Sequence, residues 1–302
     1  MLGWRLVVSA ILVPSLIAIF WLDTQLGRGA PVLLAFCLLL AIRASWEFVD
    51  LLRARSFQPS YPLTAILSCL IIAAAWVPHL YSSMAGGSTN IAEFFRDPWE
   101  WIALAFILSV LTLFLAGAVR YRAPGKSMET LGSEILVVAY IGLLLAATAQ
   151  LRFSYGGKVG YFALGSLVIA AKCGDIGAYT LGRLFGKRKM VPLLSPGKTW
   201  MGAVGAILGA AAGSWAWLHF APPWFHDGLK SPSPIWSILY GAIIGVVGLI
   251  GDLCESLIKR DVGRKDSAVL MPGFGGLLDL LDSVIYAGPV AYILWRVLPL
   301  AG

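Results

Sequence analysis

The sequence is poor in charged residues. Only 13% of its 302 residues are Asp, Glu, Lys or Arg, whereas 59% are hydrophobic, and the mean hydropathy is +0.81. Soluble domains carry about 25% charged residues, so this chain has too little charge to cover a water-facing surface. It also lacks a long polar segment from which a large soluble domain could form. The composition therefore predicts an integral membrane protein that crosses the bilayer several times.

Soft metal ligands are also scarce. The four cysteines are scattered without a CxxC pair, and the three histidines are isolated from one another. This argues against a disulfide framework and against a zinc centre.

The net charge is +7, but the sequence contains neither an aromatic and basic platform nor a known nucleic-acid-binding module. We therefore expect no nucleic acid partner. In a membrane protein, such an excess is typical of cytoplasmic loops beside anionic lipid.

Nine apolar segments are long enough to cross a bilayer as helices, which requires about 20 residues each. They are 5–22, 31–52, 61–78, 100–119, 131–150, 158–182, 200–220, 234–256 and 284–300. The first has no clear cleavage site after it and is interpreted as a retained helix. We therefore predict an all-α polytopic membrane protein with about nine transmembrane helices in one integral membrane unit. We expect residues 1–150 to form the N-terminal transmembrane helices, and 151–302 to form the C-terminal transmembrane helices that carry the catalytic site.

Basic residues predict the orientation of these helices. With the N-terminus in the cytoplasm, fifteen Lys and Arg residues fall on the cytoplasmic side and six on the opposite side. This asymmetry favours a cytoplasmic N-terminus. It also places the two richest polar segments, 172–199 and 252–283, in the compartment that supplies nucleotides and Mg²⁺.

The first polar segment begins inside the sixth span. Lys172, Asp175, Tyr179 and Arg183 follow one another at helical spacing and form a single stripe. An ionisable group inside a membrane span costs about 2.5–3.5 kcal/mol on insertion scales, so such groups usually face partners or a water-filled cavity. The stripe is therefore either a structural Lys172–Asp175 pair or part of a functional site.

The sequence GKRKMVPLLSPGKTW follows, and its GKT invites a phosphate-loop interpretation. That motif requires a further glycine at position 192, where this chain has proline, so we reject it. The cluster 187–189 is best explained as an anchor on the positive-inside side. Ser195, Lys198 and Thr199 stand just before the next helix, where they are either a similar anchor or donors for a phosphate.

The second polar segment contains most of the carboxylates. Asp252, Glu255, Ser256 and Lys259 share one helix face, and Asp279 and Asp282 repeat the spacing of i and i+3 after a glycine-rich PGFGG turn. Clustered carboxylates are hard oxygen ligands that suit Mg²⁺ bound to substrate phosphates. The neighbouring lysines and arginines can neutralise phosphate charge, so the segment predicts a phosphoryl- or nucleotidyl-transfer site.

Gly205, Gly209 and Gly213 recur at four-residue steps in the seventh span. This spacing is typical of a helix-packing face, and we assign it no chemistry.

The run SLIKRDVGRKDSAVLMPGFGGLLDLLDS at 256–283 resembles the signature of the CTP:phosphatidate cytidylyltransferases, the CDP-diacylglycerol synthases. GDLCESLIKRD and the upstream segment 174–202 are similar to other motifs of that family, and weaker similarity extends over most of the chain. Phe274 stands where the signature has His, Leu280 where it has Arg, Gly197 where it has Lys and Met201 where it has Glu. Because the carboxylates and signature lysines are retained, we favour an active enzyme.

The resemblance implies transfer of the cytidylyl group of CTP to phosphatidic acid within the lipid bilayer. It implies Mg²⁺, with K⁺ as a further candidate cation, and a homodimer as a candidate assembly. The implied location is a bacterial inner membrane, with the active site facing the cytoplasm. The implied catalytic residues are Asp175, Lys259, Lys265, Asp266 and Asp279; the implied substrate-binding residues are Ser195, Lys198, Thr199, Ser256, Arg260, Ser267, Gly275 and Gly276; and the implied metal ligands are Asp252, Asp279 and Asp282.

Two alternatives to this function remain at this stage. A divergent paralogue would act on another lipid acceptor or would be inactive, and the positions of Phe274 and Leu280 suggest it. A membrane transporter would use Lys172 and Asp175 in an ion pathway, although the sequence contains no visible inverted repeat.

Overall fold

The computed structural model describes residues 2–27, 29–55, 57–84, 97–226, 228–268 and 275–301. The chain forms two compact units. One comprises Met1–Ala147 and Val262–Leu280, and the other comprises Thr148–Asp261 and Leu281–Gly302.

Long helices make up most of the described residues. They are α1 (Leu2–Gln25), α2 (Pro31–Arg53), α3 (Tyr61–Met84), α4 (Pro98–Arg120), α5 (Ser127–Phe153), α6 (Val159–Phe185), α7 (Trp200–Phe220), α8 (Pro234–Asp261) and α9 (Leu277–Val297). Within α5 the backbone passes through a π-helical segment, Val138–Leu143, and ends in a 3₁₀ turn, Gln150–Phe153. A single helical turn, Pro222–Phe225, follows α7.

The predicted all-α polytopic membrane architecture is confirmed. Within the described residues, 8 helices, α2 to α9, are long and apolar enough to cross a membrane. The first predicted span, 5–22, lies within α1, a helix of 24 residues. Every predicted span therefore coincides with a helix, because a run of about 20 apolar residues is stable in lipid only when its backbone groups are hydrogen bonded within the helix.

The last helix begins earlier than predicted. The predicted span started at 284, but α9 starts at Leu277 and includes both Asp279 and Asp282. Asp279 lies in the first turn and accepts a hydrogen bond from the backbone N–H of Gly276 at 2.7 Å. Acidic side chains near a helix N-terminus accept hydrogen bonds from its free N–H groups and interact favourably with the positive end of the helix dipole. The hydropathy of the segment therefore placed the boundary too late.

The basic loop predicted before α7 contains a short antiparallel hairpin. Strand β1 (Lys189–Val191) pairs with β2 (Ser195–Thr199), with Lys189 opposite Thr199 and Val191 opposite Ser195. Thr199 then caps α7, because its side-chain oxygen accepts a hydrogen bond from the Gly202 N–H at 3.1 Å.

Buried polar groups hold the first unit together at the helix ends. Asp23 accepts a hydrogen bond from the Val32 N–H at 2.7 Å, which satisfies a free donor at the start of α2. Glu134 of α5 is fully buried, forms a two-point ion pair with Arg120 at 2.8 Å, and accepts a hydrogen bond from the Ser60 N–H at 2.9 Å. These donors compensate for the loss of water around the buried carboxylates.

In the second unit, the predicted glycine face of α7 packs against α6. A Cβ atom added at Gly205 would collide with the backbone of Gly177, and one added at Gly209 would collide with the backbone of Cys173. On the next helix, a Cβ at Gly245 would lie 2.8 Å from the carbonyl oxygen of Ala206. Small residues thus let α6, α7 and α8 approach at backbone distance, as is common between membrane helices.

We predict that Gly205→Ala destabilises the protein, since the added methyl group overpacks the contact between α6 and α7 by about 1–3 kcal/mol. The matched control is Gly132→Ala in α5, where a Cβ has no neighbour within 4 Å. That control should leave stability unchanged or raise it by about 0.5–1 kcal/mol, because alanine favours a helix over glycine. Thermal unfolding of both variants in detergent measures the difference, and equal midpoints would contradict the packing assignment.

Candidate active site

Three carboxylates of the second unit converge. One ligand oxygen from each of Asp252, Glu255 and Asp282 lies within 4.8 Å of the other two. Asp252 and Glu255 are one turn apart on α8, and Asp282 is near the start of α9. Glu255 and Asp282 are only 1% and 5% exposed. Three negative charges this close repel one another strongly in a low-dielectric surrounding, so the arrangement favours a bound or neighbouring cation.

Close helix packing brings these carboxylates together. Gly251, directly before Asp252, faces α9: a Cβ there would lie 2.7 Å from the Tyr286 Cβ and 3.0 Å from the Asp282 carbonyl oxygen. Any larger residue at 251 would push the two helices apart. One turn earlier, a Cβ at Gly248 would make an ordinary contact of 3.6 Å with the Ser283 Cβ.

Lysines and hydroxyl groups surround the carboxylate group. Lys198, on β2, places its Nζ 2.9 Å from Asp252 Oδ2, and Lys259 forms an ion pair with Glu255 one turn earlier on α8. Ser256 donates to Asp252 Oδ1 at 3.4 Å, and the Ser283 hydroxyl donates to Asp282 Oδ1 at 2.8 Å. These contacts orient the carboxylates and partly offset their charge.

The hairpin that carries Lys198 is connected to the end of α8. Arg260 donates from Nε to the backbone carbonyl of Leu194 at 3.2 Å. Ser195 is half-buried on β2, whereas the Thr199 side chain is buried and caps α7. The predicted residues Ser195, Lys198 and Arg260 therefore belong to one small region of the second unit.

The stripe on α6 consists of paired side chains. Lys172 Nζ lies 3.0 Å from Asp175 Oδ2, and Arg183 donates to the Tyr179 hydroxyl at 2.7 Å. The structural pair that the sequence left open is thus present. Lys172 also attracts the Asp282 carboxylate electrostatically.

The signature residues 262–280 belong to the first unit. Asp279 Oδ2 accepts hydrogen bonds from the Ser267 N–H at 3.0 Å, from the Ser267 hydroxyl at 2.7 Å and from the Gly276 N–H at 2.7 Å. Lys265 and Asp266 are exposed, whereas Ser267 is fully buried. Gly275 adopts φ 88, a left-handed conformation that few other residues tolerate. Phe274 lies outside the described residues.

Two acidic residues of these regions were not assigned a role from the sequence. Glu255 is part of the carboxylate group, and its spacing from Asp252 on one helix face was a sufficient signal to include it. Glu47 of α2 is fully buried and accepts a hydrogen bond from the Leu278 N–H at 3.0 Å. Its sequence signals are a negative charge inside an apolar span and its place in WEFVDLLRARSFQP, a segment weakly similar to the family.

Comparison with known proteins identifies the family. The model of the cytidylyltransferase family matches residues 4–298, nearly the whole chain. The chain belongs to this family. The helices and the carboxylate group of α8 and α9 described above are thus those of a member of the cytidylyltransferase family.

Relatives differ in how much of the chain they cover. A phosphatidate cytidylyltransferase of Mycobacterium bovis is 32% identical over 177 residues, which are 59% of this chain and 54% of that protein. The chain thus spans about half the length of this relative. The phosphatidate cytidylyltransferase of Haemophilus influenzae is 26% identical over 297 residues, which cover 96% of each chain. An uncharacterized Escherichia coli protein, YnbB, is 40% identical over 131 residues, or 43% of this chain and 41% of that one.

We predict that Lys259→Met destabilises the folded protein by about 3–5 kcal/mol, because it deprives a buried carboxylate of its ion-pair partner. The side chains of Lys259 and Glu255 are only 11% and 2% exposed. Lys198→Met is the matched comparison: its partner Asp252 is 38% exposed, so water can solvate the carboxylate left behind, and the loss should cost less than that of Lys259.

The double variant Lys259→Met with Glu255→Leu should recover most of the lost stability, since both buried charges are then removed. Unfolding midpoints in detergent measure all three variants. If the double variant is as unstable as Lys259→Met, the buried pair does not account for the loss.

Proposed function

We propose that this protein transfers the cytidylyl group of CTP to phosphatidic acid, forming CDP-diacylglycerol and pyrophosphate. Family membership and the names of the relatives support this activity. The observation that carries it is the carboxylate group Asp252, Glu255 and Asp282, bordered by Lys198 and Lys259. It combines oxygen ligands for a divalent ion with cationic groups for phosphates, which is what a nucleotidyl transfer requires.

The donor set fits Mg²⁺. All three groups are carboxylates, and hard oxygen ligands of this kind are the ones that Mg²⁺ prefers. Asp252 and Asp282 are the predicted ligands that belong to this group, and Glu255 extends it. When bound, Mg²⁺ supplies charge neutralisation and alignment of the triphosphate. Asp279, which the resemblance also implies as a ligand, lies in the first unit, and its part in cation binding is proposed from the resemblance alone. K⁺ is proposed as a second cation.

The protein's own residues then bind and orient two anions. An oxygen of the phosphatidate headgroup attacks the α-phosphorus of CTP; a phosphorus–oxygen bond forms there, and the bond to the β-phosphate breaks to release pyrophosphate. Phosphatidate is already an anion, so no strong general base is needed. Lys198, Lys259, Arg260 and Lys265 would neutralise phosphate charge, and Ser195, Thr199 and Ser256 would donate hydrogen bonds. Ser267, whose hydroxyl donates to Asp279, would act by holding that carboxylate.

The acidic residues Asp175 and Asp266 have supporting roles in this proposal. Asp175 holds Lys172 in an ion pair, which limits where that ammonium group can reach. Asp266 is exposed beside Lys265, so both are available to a water-soluble nucleotide. Gly275 and Gly276 let carboxylates approach the backbone closely, and both are proposed as members of the substrate-binding region.

We infer that the protein lies in the inner membrane of a bacterium and that its active site faces the cytoplasm. The acyl chains of the lipid would remain in the bilayer. The distribution of basic residues supports this orientation.

A homodimer is the proposed assembly. Light scattering of the detergent-solubilised protein measures its molar mass and so tests the proposal.

We predict that purified protein with labelled CTP, phosphatidic acid and Mg²⁺ produces lipid-soluble cytidine label. Asp282→Asn and Asp252→Asn should each lower this activity by about 100-fold or more, because each removes a charge that the divalent ion requires. The control is Glu129→Gln, an exposed carboxylate in the first turn of α5, which should keep wild-type activity.

Three results would contradict the proposal in different ways. Label that appears only with another lipid acceptor would indicate a different substrate. Failure to consume CTP with any phospholipid would indicate that the chain lacks this activity. Full activity in Asp282→Asn would remove the carboxylate group from the mechanism.

A further inference from the structure

Glu47 is a buried carboxylate inside a membrane-spanning helix. It lies in α2 and is 0% exposed. An ionisable group at such a position is costly and usually has a function or a specific set of partners. One partner is on the same helix: Arg43 Nη2 lies 3.0 Å from Glu47 Oε1. The other carboxylate oxygen, Oε2, contacts the signature residues 262–280.

Oε2 of Glu47 reaches the first turn of α9. It accepts a hydrogen bond from the Leu278 N–H at 3.0 Å, while Asp279 accepts one from the Gly276 N–H. Two carboxylates thus satisfy N–H groups that have no partner within the helix. A negative charge at this position is also favoured by the helix dipole.

The Ser267 hydroxyl lies between the two carboxylates. Its oxygen is 2.7 Å from Asp279 Oδ2 and 3.4 Å from Glu47 Oε2. A hydroxyl has one proton, so it donates over the shorter distance to Asp279. Glu47 therefore contacts Ser267 and Leu278, which lie on either side of PGFGG in the sequence.

Gly276 lets Glu47 approach this closely. A Cβ atom at position 276 would collide with the Ser267 Oγ and with Glu47 Oε2. One turn further along α2, Asp50 Oδ2 accepts a hydrogen bond from Arg264 Nη1 at 2.6 Å. The acidic face of α2 therefore contacts Arg264, Ser267 and Leu278.

We propose that Glu47 is a positioning residue, which anchors Ser267 and the start of α9 to α2 and so fixes the orientation of Ser267 and Asp279. Glu47 does not touch the reacting atoms in this account. The inference rests on the proposed function, in which Lys265, Asp266 and Asp279 act on the substrates. An equally buried carboxylate with a purely structural role would contribute to stability without affecting turnover.

Glu134 is the matched control for this distinction. It is also 0% exposed, belongs to the same unit and pairs with an arginine, but its backbone donor is the Ser60 N–H instead of a signature residue. We predict that Glu47→Ala lowers kcat by about 10- to 100-fold, the usual effect of losing a group that orients a catalytic residue. The KM for CTP should change less than kcat.

The conservative and control variants have distinct expected results. Glu47→Gln retains an acceptor for the Leu278 N–H, so it should recover part of the kcat that Glu47→Ala loses. Glu134→Ala and Glu134→Gln should lower the unfolding midpoint but leave kcat of the folded protein unchanged. If Glu47→Ala does not fold, the two glutamine variants are compared instead. A lower kcat in Glu47→Gln than in Glu134→Gln then supports the positioning role, and equal values contradict it.

Hydrogen–deuterium exchange provides a readout that needs no activity. Backbone amides of 275–280 should exchange faster in Glu47→Ala than in the wild type, and should be unchanged in Glu134→Ala. Wild-type kcat and unchanged exchange in Glu47→Ala would overturn the inference, as would equal losses of kcat in both alanine variants. If the wild type transfers no cytidylyl group, the proposed function fails, and the exchange comparison alone then decides whether Glu47 anchors this segment.

Discussion

A carboxylate buried in an apolar helix must be compensated by a cation or by hydrogen-bond donors, and this constraint organises both units of the protein. Glu134 pairs with Arg120, Glu47 with Arg43, and Glu255 with Lys259. The group of Asp252, Glu255 and Asp282 differs because its charges converge on one another. Two lysines offset part of this charge, and the remainder is what makes the group suitable for a divalent ion.

Glycine determines how closely these charges approach. Gly205 and Gly209 let α7 pack against α6 at backbone distance, and Gly251 does the same for α8 and α9 beside Asp252. Side chains as short as Asp and Glu meet only if their helices are this close. The close approach of α8 and α9 at Gly251 is therefore what lets Asp282 reach Asp252 and Glu255.

The sequence predicts the helices well, because a bilayer requires long apolar runs that hydropathy detects. It predicts boundaries poorly where charge stabilises a helix end, so the start of α9 was placed at 284 instead of Leu277. Spacing along α8 was enough to group Asp252 with Glu255. The family resemblance placed Asp282 in one metal site with Asp252, which residue spacing alone could not do. The link from Glu47 to Leu278 was not predicted, since it depends on packing between separate helices.

The most direct test of the carboxylate group is the binding of Mn²⁺, which shares the oxygen ligands of Mg²⁺ and is visible by electron paramagnetic resonance. The detergent-solubilised wild type should bind Mn²⁺ in competition with Mg²⁺, and Asp282→Asn should lose this binding while retaining its unfolding midpoint. Equal Mn²⁺ binding by the wild type and by Asp282→Asn would contradict the account, because the ion would then be held elsewhere.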